Sequence, residues 1–133
     1  MSAVAPYVVN ASDPPLETWN DPIRGAVTWR TLISGDRAPT EAMTLGVAEV
    51  LPADADRARP HRHAQPEIYY ILSGEGVLRI DGVDHPLAPG TCAFVPGNAL
   101  HGAWAVGGAP LRILYVFPTN SFDQVEYGFP DAV

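Results

Sequence analysis

Runs of β-branched and apolar residues, separated by turn formers, recur along this chain from residue 26 onward. AVTWRTLI (26–33) and AMTLGVAEVL (42–51) come first, closed by Ser34-Gly35-Asp36 and by Pro52. EIYYIL (67–72), GVLRI (76–80), TCAFV (91–95) and LRILYVF (111–117) follow, broken by Ser73-Gly74, Asp81-Gly82, Pro89-Gly90, Pro96-Gly97 and Gly107-Gly108. Runs of this length and makeup, bounded by such punctuation, read as strands. Asp81-Gly82 between two apolar runs signals a tight hairpin of the primed-turn type, because both residues tolerate the positive φ that such a turn requires. No long amphipathic helix is visible. Many short strands at regular spacing predict an all-β sandwich or barrel, of which a jelly roll with a small ligand-holding interior is one form. Residues 1–24 hold Pro6, Pro14, Pro15 and Pro22 and no sustained periodicity, and read as an N-terminal arm lying over the barrel or over a partner subunit. Residues 25–133 then make one barrel domain.

Composition narrows the field. A chain of 133 residues with 47% hydrophobic content has the length of one ordinary domain and enough apolar matter for a core. The net charge of −7, from 15 acidic and 8 basic residues, comes without a Lys/Arg cluster, which excludes the electrostatic footprint of a nucleic-acid binder. No basic residue precedes the short apolar run near the N-terminus, and no segment reaches the ~18 apolar residues of a membrane helix. A soluble, cytoplasmic protein that binds neither nucleic acid nor membrane is expected. Cys92 is the one cysteine, so no internal disulfide can form, and a buried, inert thiol is its expected state. Strand edges and an apolar arm predict a homodimer in which the edges are covered.

The candidate chemistry lies in His61-Arg62-His63-Ala64-Gln65-Pro66-Glu67, answered by His101 inside PGNALHG. Residues two apart on a strand point to one face, so His61 and His63 can present their imidazoles together. Glu67 adds a carboxylate oxygen and His101 a third nitrogen. Three nitrogens and one oxygen suit a divalent transition metal better than Ca2+ or Mg2+, which prefer oxygen ligands. Fe2+ is favoured, with Mn2+, Ni2+, Zn2+ and Co2+ as the other candidates. Alternation from Glu67 puts Tyr69 on the face of the glutamate and Ile68 and Tyr70 on the other. A phenol beside a divalent cation has its anion stabilised, so Tyr69 is a candidate base. Arg62, between the two histidines, should point to the opposite face, toward a salt bridge or a subunit contact. His85, just past Asp81-Gly82 and before Pro86, reads as a solvated loop residue, and the parity of Glu49 stays open. Trp29, Met43, Phe94, Tyr115 and Phe117 are candidates for an apolar pocket wall. Trp104, three residues after His101, falls on the opposite face of a regular strand.

These segments resemble the paired motifs of the cupin family. The first appears as H-x-H, three residues, Glu67, then six residues to Gly74; the second as Gly90, TCAFV, Pro96-Gly97-Asn98, two residues and His101. Asn98 stands where the family has a glycine, and can adopt the same left-handed conformation. Ala55 stands where a glycine often precedes the first histidine, and Ala105 where an asparagine often follows the last. The resemblance implies the cupin double-stranded β-helix, a jelly-roll barrel, and the four ligands His61, His63, Glu67 and His101. HRH…EIYY, the chain length and a tyrosine near the C-terminus, here Tyr127, are similar to the short single-domain cupin lyases that cleave dimethylsulfoniopropionate. That likeness spans roughly residues 27 to 129. It implies a metal-dependent β-elimination on a small carboxylate, giving dimethyl sulfide and acrylate, with Tyr69 or Tyr127 as base. The same ligand set also suits a non-haem Fe(II) dioxygenase or an isomerase of a keto or enol substrate, and the barrel alone would suit a non-enzymatic small-ligand binder. Dependence on O2 separates the first of these from an elimination.

Overall fold

The computed structural model describes residues 4–52 and 59–130, so Ala55 lies outside the described residues. Nine strands follow in order: β1 Glu17–Asp21, β2 Gly25–Ile33, β3 Thr44–Val50, β4 Glu67–Ser73, β5 Glu75–Ile80, β6 Val83–Leu87, β7 Cys92–Val95, β8 His101–Val106 and β9 Leu111–Phe117. They form a six-stranded sheet in the order β1-β2-β3-β9-β4-β7 and a three-stranded sheet in the order β6-β5-β8. Every ladder is antiparallel. The helical content of the described residues is one 3-10 turn, Phe122–Gln124. The all-β expectation holds.

Alternation decides which side chains enter the space between the sheets. Along β4 buried and exposed residues alternate, so Glu67, Tyr69 and Ile71 face inward while Ile68, Tyr70 and Leu72 face out. β9 does the same with Leu111, Ile113, Tyr115 and Phe117 inside. These residues, with Leu78, Leu87 and Val95, make the core. The inner face of the large sheet is layered by register: Tyr69 pairs with Tyr115, which pairs with Gly46, while Ile71 pairs with Ile113 and Ile113 with Ala48. Gly46 is required by this layering. A Cβ there would stand 2.3 Å from the Tyr115 hydroxyl, so the missing side chain is the space that the Tyr115 ring occupies.

Two turns behave as their residues dictate. Asp81 and Gly82 have φ of 47° and 82° and join β5 to β6, the doubly left-handed conformation of a primed hairpin turn. Asn98 sits at φ 66°, the conformation that the usual glycine would take.

Several expectations need correction. Glu17–Asp21, placed within the arm, is an edge strand paired residue for residue with β2. Just before it, the Pro14 carbonyl accepts a hydrogen bond from Arg30 of β2. His85 is in strand β6 rather than a loop, although exposed as expected; β6 is an edge strand, which is where a strand can contain Pro86. Cys92 is exposed, not buried. β7 buries Val95, so its parity sends Cys92 and Phe94 outward. Phe94 and Met43 are therefore not pocket residues; they are 64% and 53% exposed.

Candidate metal centre and active-site cavity

The H-x-H segment is held by backbone pairing on several sides. His61 exchanges two hydrogen bonds with His101 (2.9 and 2.8 Å), Arg62 exchanges two with Gly128 (2.9 and 2.8 Å), and the Asn98 amide donates to the His63 carbonyl at 2.7 Å. His101 opens β8 and Glu67 opens β4, so the two sheets converge on this point. The nitrogens of His61, His63 and His101 come within 4.8 Å of one another. Glu67 Oε1 lies 3.2 Å from His63 Nε2 and 3.3 Å from His101 Nε2. The structure thus brings together all four residues singled out in the sequence.

The donor set fits a cation. Each histidine turns Nδ1 to a backbone carbonyl: His61 to Arg59 at 3.3 Å, His63 to Gln65 at 2.8 Å and His101 to Ala99 at 2.9 Å. A ring that donates from Nδ1 in its neutral form carries its lone pair on Nε2, and this outer anchoring is how proteins orient metal-ligating imidazoles. Burial, reinforced by the neighbouring His101, drives the His61 imidazole down to about 3, so it is held neutral. Burial alone would lift the Glu67 carboxyl, but His101 and His63 outweigh it and hold the group below its usual value. Those same Nε2 atoms, bared as lone pairs beside the carboxylate, would call for a positive charge among them. One divalent cation answers all of them at once.

The cluster opens into a cavity of about 240 Å³ lined by His61, Glu67, Tyr69 and Tyr127 on one side and by Trp19, Trp29, Tyr115 and Phe122 beyond them. Both tyrosines singled out in the sequence stand on this wall. The Tyr69 ring is 6.1 Å from that of His101, and the Tyr127 ring is 5.1 Å from those of both His61 and His63. Burial, then the Glu67 carboxylate, pushes the Tyr69 hydroxyl well above its usual value; Tyr127 is pushed the same way by the same two causes. Burial and Glu67 thus oppose the lowering that a cation beside Tyr69 would bring. Trp29 and Tyr115 line the cavity as expected, and Phe117 packs edge-on beneath His63 at 5.1 Å. Trp104, expected on the face away from His101, carries the Arg79 guanidinium 5.0 Å above its ring and also reaches the cavity wall. Glu49 faces out, with Arg112 at 3.9 Å. Arg62 is exposed, on the face opposite the two histidines.

Sequence reasoning missed Trp19 and Phe122. Trp19 packs edge-on against Trp29 at 5.2 Å and Tyr127 at 4.9 Å, and so closes the cavity from β1. The signal was Asp21-Pro22, a turn former that makes the five residues of β1 the first arm of a hairpin with β2. Phe122 lies in the 3-10 turn after β9 and had no pattern to announce it.

The chain belongs to the cupin family: residues 47–117 match the cupin domain. It is 44% identical over 124 residues to the dimethylsulfoniopropionate lyase DddW of Ruegeria pomeroyi, across 93% of this chain and 80% of that one. Among solved structures it is similar to the polyketide cyclase RemF of Streptomyces resistomycificus, with a TM-score of 0.73 and 26% identity over 86% of this chain and 80% of that one. A predicted oxalate decarboxylase of Thermotoga maritima superposes with a TM-score of 0.69 and 28% identity, over 85% of this chain and 99% of that one. The jelly-roll barrel expected from the motifs is thus the fold, and this chain, whose three histidines could hold a metal, is a homologue of a carbon–sulfur lyase.

Proposed function

We propose that this protein cleaves dimethylsulfoniopropionate to dimethyl sulfide and acrylate, using one divalent transition metal, with Fe2+ favoured, held by His61, His63, Glu67 and His101. The observation that carries this reading is that Tyr69 and Tyr127 stand on the wall of the same small cavity into which the ligand cluster opens. When bound, the metal supplies Lewis acidity toward a substrate carboxylate, which makes the adjacent C–H easier to deprotonate. As base Tyr69 would act as the phenolate, having first released its own proton to solvent, a state that a cation beside it would favour; its phenolate oxygen then takes the substrate proton, with Tyr127 as the alternative base. The electron pair of the C–H bond becomes the new C=C bond as the C–S bond breaks. Dimethyl sulfide departs neutral, so the site needs no general acid for the leaving group. The sulfonium end lies against Trp29 and Tyr115, with Trp19 and Phe122 completing the enclosure. Such cation–aromatic contact contributes about 0.5–2 kcal/mol. The apolar wall keeps bulk water from the base.

The protein works as a homodimer on a small carboxylate substrate. Its lone Cys92 fits the reducing cytoplasm. No helix of the described residues is long and apolar enough to cross a membrane.

The test is anaerobic headspace analysis of protein reconstituted separately with Fe2+, Mn2+, Ni2+ and Zn2+ and given dimethylsulfoniopropionate. Metal-dependent dimethyl sulfide release, lost in metal-free protein and in His101→Ala, is the expected result. Silence from protein of verified metal content overturns the reading.

A further inference from the structure

After β9 the chain crosses the barrel as a strap, residues 119–130, fastened at successive points. The Thr119 carbonyl accepts from the Thr44 hydroxyl at 2.7 Å, the Phe122 amide donates to Ser34 Oγ at 2.8 Å, and Gln65 Nε2 donates to the Gln124 carbonyl at 3.2 Å. Its last fastening is the two-bond pair between Arg62 and Gly128. Arg62 stands between His61 and His63, and Gly128 directly follows Tyr127. The three-residue segment that presents two of the imidazoles therefore also sets where Tyr127 lands. The side chains repeat the connection: Tyr127 packs on His61 and His63, and Phe129 packs on His61 at 5.7 Å.

We propose that strap docking and metal occupancy are coupled through the Arg62–Gly128 pair, which makes Gly128 a positioning residue for Tyr127. The inference rests on the metal reading given above. A cation that fixes the orientation of two imidazoles fixes the surface on which Tyr127 and Phe129 pack, and a docked strap in turn limits the motion of those imidazoles. Coupling of this kind is reciprocal: whatever factor the metal gives to strap docking, the strap returns to metal affinity. Tyr127 reaches the cluster when the metal is held, and an empty centre relaxes the strap.

The experiment uses the full chain, stripped by chelation and titrated with Zn2+ alone. It reads Zn2+ affinity by competition with a chromogenic chelator and amide exchange in residues 121–130 by mass spectrometry. Zn2+ is expected to slow exchange in the strap by about tenfold, within the usual range of coupling between sites. Gly128→Pro removes the amide that donates to Arg62, and should weaken Zn2+ by the same factor and abolish the slowing. Gly128→Ala keeps that amide, and its added Cβ meets Arg62 Cγ at an ordinary 3.6 Å, so it should behave as wild type. If Gly128→Pro does not fold, Gln65→Ala cuts a separate fastening of the strap and should raise strap exchange and weaken Zn2+ by about fivefold, the lower end of such couplings. Wild-type protein that takes up no Zn2+ overturns the metal reading and the coupling with it. Zn2+ uptake with unchanged strap exchange, or with the same affinity when the strap is loosened, overturns the coupling alone.

Discussion

At the scale of single residues, the two tyrosines can be separated by experiment. Tyr69 sits two positions from Glu67 on the inward face of β4, fixed by a fully paired strand, whereas Tyr127 rides on the strap. The better-fixed phenol is the better base, because proton transfer depends on geometry first. Tyr69→Phe should retain metal and fold but lower kcat by about 10²–10⁴-fold, the usual worth of a positioned general base. Tyr127→Phe should keep turnover within about tenfold of wild type, short of a general base's worth. The reverse ranking would transfer the role to Tyr127. A second consequence concerns acid. In metal-free protein the His61 imidazole is held at about 3 by burial, against an ordinary 6.5. Between those values the unfolded chain binds a proton that the folded chain does not. Stability from this group is therefore complete above pH 6.5 and falls as pH drops toward 3, by at most about 1.4 kcal/mol per pH unit. Glu67, held low when folded, acts in the same sense further into acid. Thermal melts of chelated protein from pH 7.5 to 4.5 should show a falling Tm that flattens in His61→Asn; a flat wild-type profile would remove His61 as the cause. The four cluster residues were legible in sequence because their grouping depends on short-range parity plus one recurring turn pattern. Trp19 and Phe122 were not, because their place on the cavity follows from how separate segments pack.

At the scale of elements, strands with strong apolar alternation were legible almost to the residue. LRILYVF is β9, from Leu111 to Phe117, and EIYYIL is β4 less its last residue. What escaped were strands whose residues carry weak preference of their own. β1 is five mostly polar residues, β6 contains Asp84, His85 and Pro86, and β8 is built from Gly102 and small alanines. Each is a strand because a neighbour supplies its ladder: β2 for the first, β5 for the other two. Pairing overrides local propensity at such positions. The consequence for the site is direct, since β8 begins at His101 and β1 brings Trp19. The functional pocket is thus built in part from the segments that sequence patterning reads least well.

At the scale of the whole molecule, the outer face of the large sheet remains to be satisfied. Register aligns Phe94, Ile68, Val116 and Leu45 in one row across β7, β4, β9 and β3, and Cys92, Tyr70, Leu114 and Val47 in the next. The β3 end of these rows is half-buried or buried, whereas Phe94, Ile68 and Tyr70 at the other end are 64%, 41% and 42% exposed. Contiguous apolar surface of this kind marks an interface when it exceeds a few hundred Å². The homodimer proposed above would set a second copy on this face. In it an isologous pairing would lay the same apolar rows on each other, and the arm, where Val8 is fully exposed, would extend the contact over the partner. A stable dimer buries roughly 800 Å² on each side. Light scattering on the wild type should give the mass of two chains at micromolar concentration. Phe94→Glu places a charge in the most exposed part of this face and leaves the cavity untouched, so it should shift the protein to the mass of one chain while its metal content stays the same. Wild-type protein that runs as a monomer, or a Phe94→Glu variant that stays dimeric, would mean that this face is covered by something other than its own copy.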